Sequence, residues 1–286
     1  MTNLMISAVF PRDSLSALAR AYPNAPIKLV HGLTDHALLT IDSLSSLAAR
    51  LPAASVEYNL GRLPIGIVPQ DIPQAALSAE DTIRQIESSD SWAVLKRIEQ
   101  VPEYAALLHA LLAELNTVVG SRTGAMHQCE GFIFVSSPHA VTPFHFDPEH
   151  NVLLQIRGSK TMTVFRPDDE ALCDPVIHEQ FHDGQHHRNL PWDDGFALAG
   201  QSIAIGPGEA IHVPVKAPHF VENGNAVSIS LSVTWRSEWS VAEADARGFN
   251  RVMRRAGFTP RSPEQFPARN RRKALAYRAL RRLRIG

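Results

Sequence analysis

The sequence predicts a mainly β protein whose strands form a sandwich or barrel beneath a helical cover. From Gly131 onward, short β-branched or aromatic runs are separated by Gly, Pro, Asp and Asn, whereas apolar residues in the first 120 positions recur at spacings of three and four. Strands and helices produce these two periods respectively. We therefore divide the chain into a helical N-terminal cover with a few strands (1–120), a strand-rich core (121–240) and basic C-terminal helices (241–286), all in one structural unit.

The helical cover is predicted from leucine spacing. Leu44, Leu47 and Leu51 recur at intervals of three and four residues, and Ala105–Leu115 shows the same spacing. The turn-rich stretch from Leu63 to Gln74 carries three prolines and no recognisable chemical motif. These segments should cover the core.

The strand-rich core is predicted from six short runs. Val227–Val233 alternates strictly between apolar residues and serines, so one face of this strand should pack on a core while the serines meet a polar cavity. The six runs are Phe132–Val135, Val152–Ile156, Thr161–Phe165, Ser202–Ile205, Ile211–Val213 and Val227–Trp235.

Composition excludes several classes of protein. Contents of 44% hydrophobic and 20% charged residues are typical of a globular chain and not of a disordered or fibrous one. The two cysteines, Cys129 and Cys173, are too few for a disulfide framework and suit a reducing cytosol. No secretory signal follows Met1, and no apolar run approaches the roughly 18 residues of a membrane span. We therefore expect a cytoplasmic protein with no membrane partner.

The net charge of −1 conceals an uneven distribution. Residues 251–286 hold 12 Lys or Arg and one acid, a charge of +11, so the other 250 residues carry −12. Such a basic segment binds nucleic acid or docks on an acidic surface. Because Ala276, Leu280 and Leu283 fall at i, i+4 and i+7, we favour docking on the body or on a second subunit over nucleic-acid binding. We expect Ser262–Gly286 to form helices that join a homodimer, with these leucines, Leu275 and Tyr277 buried.

A candidate metal centre begins in the segment Thr142-Pro143-Phe144-His145-Phe146-Asp147. Side chains two residues apart on an extended backbone point to the same side, so His145 and Asp147 can converge on one ion. His219, 74 residues after His145, is the candidate third ligand. Two histidines and one carboxylate leave half of an octahedron open, which suits Fe(II) that binds a chelating cosubstrate and O2. An isolated His-x-Asp is more often a surface turn.

A candidate anion-binding lysine lies between these ligands. The run Asn151–Arg157 is followed by a Gly158-Ser159 turn and by Lys160, which opens another strand. If Lys160 enters the cavity, its ammonium can pair with the distal carboxylate of a dicarboxylic ligand, and Thr142 can add a hydroxyl donor. The alternative is an exposed hairpin lysine.

The order of these motifs resembles the JmjC and cupin-like 2-oxoglutarate oxygenases, a family that includes the asparaginyl hydroxylase acting on hypoxia-inducible factor. The resemblance covers about residues 125–237. It implies a double-stranded β-helix (jelly-roll) core. The residues that carry it are Thr142–Asp147, Asn151, Gly158–Lys160, Phe165–Pro167, Gly206–Glu209, Val213–Pro214, Pro218–His219 and Trp235.

The resemblance also implies an activity and a set of site residues. It implies a 2-oxoglutarate-dependent dioxygenase that uses Fe(II) and O2, with hydroxylation of a protein or peptide side chain, or of a small molecule, favoured over demethylation. The implied metal ligands are His145, Asp147 and His219; the implied cosubstrate residues are Thr142, Lys160 and Asn151.

The sequence departs from the family in one respect and leaves two alternatives open. The tyrosine that often assists cosubstrate binding in relatives is not recognisable, and Trp92 is the nearest candidate to replace it. One alternative is a cupin that uses the same ligands for non-oxidative chemistry, against which Lys160 and Thr142 argue. The other is a carboxylate-sensing regulator that places its basic tail on DNA, against which the intact ligands argue.

Four further histidines crowd one polar segment, and such a cluster can indicate zinc. No cysteine accompanies them, and Glu, Asp, Gln and Arg surround them. We therefore favour a solvated excursion between strands, with a metal site and a substrate-facing lid as alternatives. The four are His178, His182, His186 and His187.

Overall fold

Two antiparallel β-sheets form the centre of the protein. The computed structural model describes residues 8–72 and 77–283, so Pro73 and Gln74 of the predicted turn-rich stretch and the last three residues of the tail lie outside the described residues. The strands are β1 (Ile27–Val30), β2 (Val56–Leu60), β3 (Ser91–Lys96), β4 (Met126–Ser136), β5 (Val141–His145), β6 (His150–Arg157), β7 (Lys160–Val164), β8 (Gln201–Ile205), β9 (Glu209–Val213), β10 (His219–Asn223) and β11 (Ser228–Ser237).

Seven α-helices accompany the strands in the described residues. Several begin at recognisable caps: Asp174 accepts a hydrogen bond from the Val176 N–H at 2.7 Å, and Ser237 and Ser240 form a capping box. The helices are α1 (Arg12–Ala21), α2 (Ile41–Arg50), α3 (Ala79–Arg84), α4 (Pro102–Thr123), α5 (Pro175–His182), α6 (Glu238–Arg255) and α7 (Arg271–Arg282).

The strand order confirms the predicted β-rich core with helical elements. The larger sheet runs β1-β9-β6-β11-β4-β3-β2 and the smaller one β5-β10-β7-β8, with antiparallel pairing throughout. The first 120 residues contribute β1, β2 and β3 to the edges of the larger sheet as well as helices. The boundaries placed after residues 120 and 240 fall inside α4 and α6.

The larger sheet has an apolar outer face and a mixed inner face. On β11, Leu231 and Val233 join the cluster that α4 covers, and the intervening serines face the smaller sheet. Ser232 lies opposite Leu153, which packs with apolar residues of β7 and β10. The inward serines are satisfied by amides, since Ser230 Oγ donates to Gln155 Oε1 at 2.7 Å. The serines therefore meet hydrogen-bonding amides of β6, and the predicted polar cavity beside them stays a prediction.

The segment between β7 and β8 covers the outer face of the smaller sheet. Phe181, Trp192 and Phe196 pack against Phe144 and Phe146. We call this segment, residues 168–200, the excursion. Its many polar residues favoured a solvated segment in the sequence prediction. Aromatic side chains spaced among them instead bury the aromatic face of the smaller sheet. The prediction of a solvated excursion is therefore wrong for α5, where His178 is only 2% exposed.

The basic C-terminal part docks on the acidic body through α6. Arg254 pairs with Glu179 at 2.8 Å and Arg255 with Asp183 at 2.6 Å, both on or just after α5. The expected attraction between the two charge blocks is thus present within one chain. No helix of the described ranges is both long and apolar enough to cross a membrane.

The C-terminal helix α7 packs on α6 with one face. Ala274 is buried and the ring of Tyr277 lies against Gly248, whereas Leu275 and Leu283 are 63% and 67% exposed. The predicted burial of these two leucines therefore does not occur within the chain. Residues 262–270 are also not helical, and α7 begins only at residue 271.

Two glycines provide a matched test of the β6–β7 turn. Gly158 and Gly184 have φ of +68° and +72°, but a Cβ at Gly158 would lie 2.3 Å from the Val227 carbonyl oxygen and one at Gly184 would meet nothing within 4 Å. We expect Gly184→Ala to lose about 1–2 kcal/mol of unfolding free energy from the left-handed backbone alone. Gly158→Ala should lose a further 1–3 kcal/mol or so because the backbone must shift. Urea unfolding measures both, and equal losses would contradict the close approach.

Candidate metal centre

Strand pairing brings the three predicted metal ligands together. His145 is the last residue of β5, His219 is the first of β10, and the two lie directly opposite each other in the antiparallel register. Asp147 follows β5 by two residues. Its carboxylate oxygens lie 3.9 Å from His145 Nε2 and 3.8 Å from His219 Nε2. In the described residues these three form the one group of His, Cys, Asp or Glu arranged to hold a metal ion.

Backbone carbonyls fix the tautomer of both histidines. His145 Nδ1 lies 2.7 Å from the Pro143 oxygen, and His219 Nδ1 lies 2.9 Å from the Ala217 oxygen. Because a carbonyl oxygen only accepts, each Nδ1 carries the proton and donates it. Each Nε2 therefore presents a lone pair toward Asp147. Metal-binding histidines are typically oriented by such a second contact.

Burial and neighbouring charges put His145 and Asp147 in their metal-binding protonation states. Burial, with the nearby His219 ring, lowers the pKa of His145 to about 3, so its imidazole is neutral at pH 7. Burial alone would raise the pKa of Asp147, but the His145 ring and the Arg188 guanidinium outweigh it and lower that pKa to about 2. A neutral imidazole and an ionised carboxylate are the forms that bind a metal. The donor set of two nitrogens and one oxygen fits Fe(II).

Two contacts that the sequence did not reveal hold Asp147 in place. Arg188 Nη1 donates to Asp147 Oδ1 at 3.0 Å, and the Lys216 backbone N–H donates to the Asp147 carbonyl oxygen at 2.7 Å. Arg188 belongs to the excursion, whose next residues pair with β5 through an isolated bridge between His145 and Asn189. No motif in the sequence links Arg188 to Asp147, which is 41 positions away.

Lys160 lies inside the sandwich and not on its surface. It is 6% exposed, opens β7 on the same face as the buried Met162 and Val164, and lies opposite Asn223 of β10. Burial lowers the pKa of its ammonium to about 7. Within the described ranges no carboxylate pairs with it, so an anionic ligand would supply the missing charge. This is the feature expected of a cosubstrate carboxylate site.

The remaining predicted site residues take different positions. Thr142 is half-buried and lies opposite Val221 of β10 in the smaller sheet. Asn151 is buried on the larger sheet, where its Oδ1 accepts a hydrogen bond from Ser232 Oγ at 2.8 Å. Trp92 lies opposite Ser136, with a buried indole N–H that has no partner among the described residues. The cosubstrate roles of Thr142, Asn151 and Trp92 stay predictions.

Asn223 lies beside Lys160, whereas the clustered histidines lie outside the metal-binding group. Asn223 faces Lys160 across the β7–β10 pair, and its Oδ1 is buried without a partner among the described residues. Sequence reasoning missed it because a lone Asn at the end of a strand carries no motif. His178 packs edge-on against Phe146 with ring centroids 4.5 Å apart. None of the clustered histidines belongs to a metal-binding group in the described part of the chain.

Comparisons with known proteins agree with the fold. Residues 76–240, more than half of the chain, match the profile of the cupin-like domain. The Jumonji C domain-containing protein 5 of Drosophila melanogaster is 29% identical over 106 residues, which are 33% of this chain and 25% of that protein. The chain thus spans only about a quarter of this curated relative.

Solved structures show the same fold at low identity. Escherichia coli YcfD gives a TM-score of 0.54 at 15% identity, covering 94% of this chain and 67% of that chain. A second structure, of E. coli YcfD described as a ribosomal oxygenase in complex with cobalt and succinic acid, gives a TM-score of 0.51 at 15% identity. The match covers 98% of this chain and 68% of that chain. At these identities the likeness is one of fold. Together with the matched profile, it establishes that the chain belongs to the cupin-like domain family.

Proposed function

We propose that this protein is a 2-oxoglutarate-dependent oxygenase that uses Fe(II) and O2, with hydroxylation as its outcome. One observation carries the proposal. The smaller sheet carries both a His-Asp-His group arranged to hold a metal ion and a buried lysine that has no carboxylate partner among the described residues. A metal site alone would serve many cupins, whereas the added cation calls for a ligand that chelates at one end and carries a carboxylate at the other.

In this proposal, three residues would bind the metal and Lys160 would orient the cosubstrate. Bound Fe(II), 2-oxoglutarate and O2 supply the oxidising chemistry. His145, Asp147 and His219 would hold the ion and supply three of its ligands. Lys160 lies four residues along β7 from Val164, the partner of His219, about 13 Å by strand rise. A lysine side chain and a five-carbon dicarboxylate together span such a distance.

The substrate class proposed is a protein or peptide side chain. This rests on family analogy, and on the description of E. coli YcfD as a ribosomal oxygenase. A non-oxidative cupin would not require Lys160 to be buried, and a silent regulator would not require a neutral His145 and an ionised Asp147. A cytoplasmic location belongs to the same proposal, since Cys129 and Cys173 are both free thiols.

We also propose a homodimer that forms through the C-terminal helices. Leu275 of α7 and Leu283, the residue that follows α7, are both exposed. Two large apolar side chains left in water favour burial against a partner. The basic α7 would meet the acidic body of a second copy, because the charge outside residues 251–286 is −12 by the count given above.

The metal ligands give the first test of this function. His145→Ala, Asp147→Ala and His219→Ala should each reduce uncoupled conversion of 2-oxoglutarate to succinate by more than the roughly 10–100-fold that is typical when a residue contacting a metal ligand is replaced. The matched control is His109→Ala, an exposed histidine on α4 outside the site. Succinate is measured with Fe(II) and O2, and circular dichroism confirms folding. Full activity in His219→Ala would refute the ligand set.

Lys160 gives the second test. Lys160→Ala should weaken 2-oxoglutarate binding by about 10- to 100-fold, because a charge-assisted hydrogen bond contributes roughly 1.5–3 kcal/mol. Affinity for the metal alone should change little. Anaerobic calorimetry with Co(II) in place of Fe(II) separates the two affinities. An unchanged affinity for 2-oxoglutarate would exclude Lys160 from the cosubstrate site.

The same lysine predicts a pH dependence. Its pKa in the free protein is lowered to about 7, and only the ammonium form attracts a carboxylate. The affinity for 2-oxoglutarate should therefore be constant below pH 7 and fall as the pH rises above it. Lys160→Met, which has no titrating group, should bind weakly with no such fall. A wild-type affinity that stays flat from pH 6 to pH 9 would contradict this role.

The dimer is tested on the exposed leucines. Leu275→Glu combined with Leu283→Glu should shift the mass measured by light scattering from dimer to monomer, as should deletion of residues 262–286. Leu198→Glu is the control, because Leu198 is 98% exposed on the excursion and not on α7. A monomeric wild type whose salt-sensitive DNA binding disappears with the deletion would instead support the regulator.

A further inference from the structure

A buried ion triad lies directly behind the metal centre. Glu243 of α6 accepts hydrogen bonds from Lys216 Nζ and from Arg247 Nε, one on each carboxylate oxygen. The three residues are 5%, 3% and 4% exposed. Burial alone would raise the pKa of Glu243, but Arg247 and Lys216 outweigh it and hold that pKa well below its usual range. Groups buried in this way remain charged only while they stay paired.

Lys216 belongs to a turn that contacts two of the three metal ligands. Its backbone N–H donates to the Asp147 carbonyl oxygen at 2.7 Å. The turn closes through a hydrogen bond from the Ala217 N–H to the Pro214 oxygen at 3.1 Å, and the Ala217 oxygen accepts the His219 Nδ1 proton at 2.9 Å. The position of this turn therefore determines both the backbone of Asp147 and the ring orientation of His219.

The turn adopts a backbone conformation that requires support. Lys216 has φ of +61°, in the left-handed region that side-chain-bearing residues rarely occupy. Such a conformation persists only where the surrounding structure over-determines it. The pairing of the Lys216 ammonium with Glu243 supplies that support from α6.

Stability alone does not account for the triad. Replacing a buried ion triad with apolar residues of similar volume is often neutral or stabilising. A group of charges that stability does not require, connected through one turn to two metal ligands, is better explained by a role in the geometry of the site. Outer contacts to metal ligands tune affinity in this way.

We propose that Glu243 is a positioning residue for the metal centre, acting through Lys216 on Asp147 and His219. This inference rests on the proposed function, since it assumes that the three ligands bind a metal. Among the described residues, Glu243 hydrogen-bonds Lys216 and Arg247 and makes no hydrogen bond to a ligand side chain. It fixes the turn from α6, and the turn fixes the spacing of the ligand atoms.

The test compares metal affinity with stability. Co(II) is titrated into the purified protein under anaerobic conditions, its visible absorption reports coordination geometry, and thermal unfolding is measured without metal. Lys216→Met retains a side chain of similar length and the same backbone preference but removes the ammonium. We expect Lys216→Met and Glu243→Gln to bind Co(II) about 10-fold or more weakly, with an altered Co(II) spectrum.

Two further variants separate positioning from a structural role. The triple variant Lys216→Met/Glu243→Leu/Arg247→Met removes the whole triad, should fold with an unchanged or raised Tm, and should still lose about 10-fold or more in Co(II) affinity. Glu179→Gln is the matched control: Glu179 is fully buried and pairs with Arg254 across α5 and α6, and in the described residues its side chain makes no hydrogen bond to the turn. It should lower the Tm and leave the Co(II) affinity within about twofold.

The outcomes distinguish this inference from the proposed function. Wild-type affinity and spectrum in folded Lys216→Met and in the triple variant would overturn the positioning role and leave the oxygenase intact. A comparable loss of affinity in Glu179→Gln would also overturn it, because the effect would then follow any damage to the α5–α6 packing. A wild type that binds no Co(II) would overturn the proposed function and this inference together.

Discussion

The pairing of β5 with β10 is the constraint on which the site depends. These strands are 74 residues apart at the two histidines, yet the antiparallel register sets His145 opposite His219 at the end of both strands. Strands in a ladder lie about 4.8 Å apart, which is the scale of separation between ligands of a single ion. A shift of one residue in β10 would turn the His219 imidazole to the opposite face, away from His145. Metal binding and sheet register are therefore one structural requirement.

The sandwich carries more polar side chains on its inner faces than an inert core would. The inward serines of β11 are hydrogen-bonded to amides of β6, whereas Lys160 and Asn223 retain capacity for a ligand. The outer face of the larger sheet is entirely different: its apolar residues join those of α2 and α4 in a single cluster. The helical cover thus provides the stability that allows the interior to remain polar.

Sequence reasoning predicted those features that depend on local period or on a short motif. The six strand runs, the helix through Ala105–Leu115 and the His145-x-Asp147 motif all correspond to elements of the structure. It missed β5 and β10 as named strands because Pro143 interrupts β5, and β10 is a five-residue segment that directly follows Pro218. It misjudged the excursion because the burial of His178 depends on aromatic residues that come together only in three dimensions.

Contacts between charged residues distant in sequence could not be predicted at all. Nothing near Glu243 indicates that its carboxylate pairs with Lys216, 27 positions away, or that Lys216 takes a left-handed backbone. Any acidic residue on a helix is more often solvated. Such long-range pairs form only when the elements pack together. Here the pair connects α6 with the turn at Lys216 that contacts Asp147.

The excursion has a consequence for solubility. β5 is an edge strand of the smaller sheet, and the excursion covers that edge: the Leu190 N–H donates to the Phe144 oxygen at 2.8 Å, and the Phe146 N–H to the Arg188 oxygen at 3.2 Å. An uncovered edge strand is a template for pairing with another chain. If the excursion were loosened to admit a bulkier substrate, a strand edge next to the aromatic residue of β5 would become exposed. Changes that widen access to the metal would carry a penalty in aggregation, which limits how far this segment can vary.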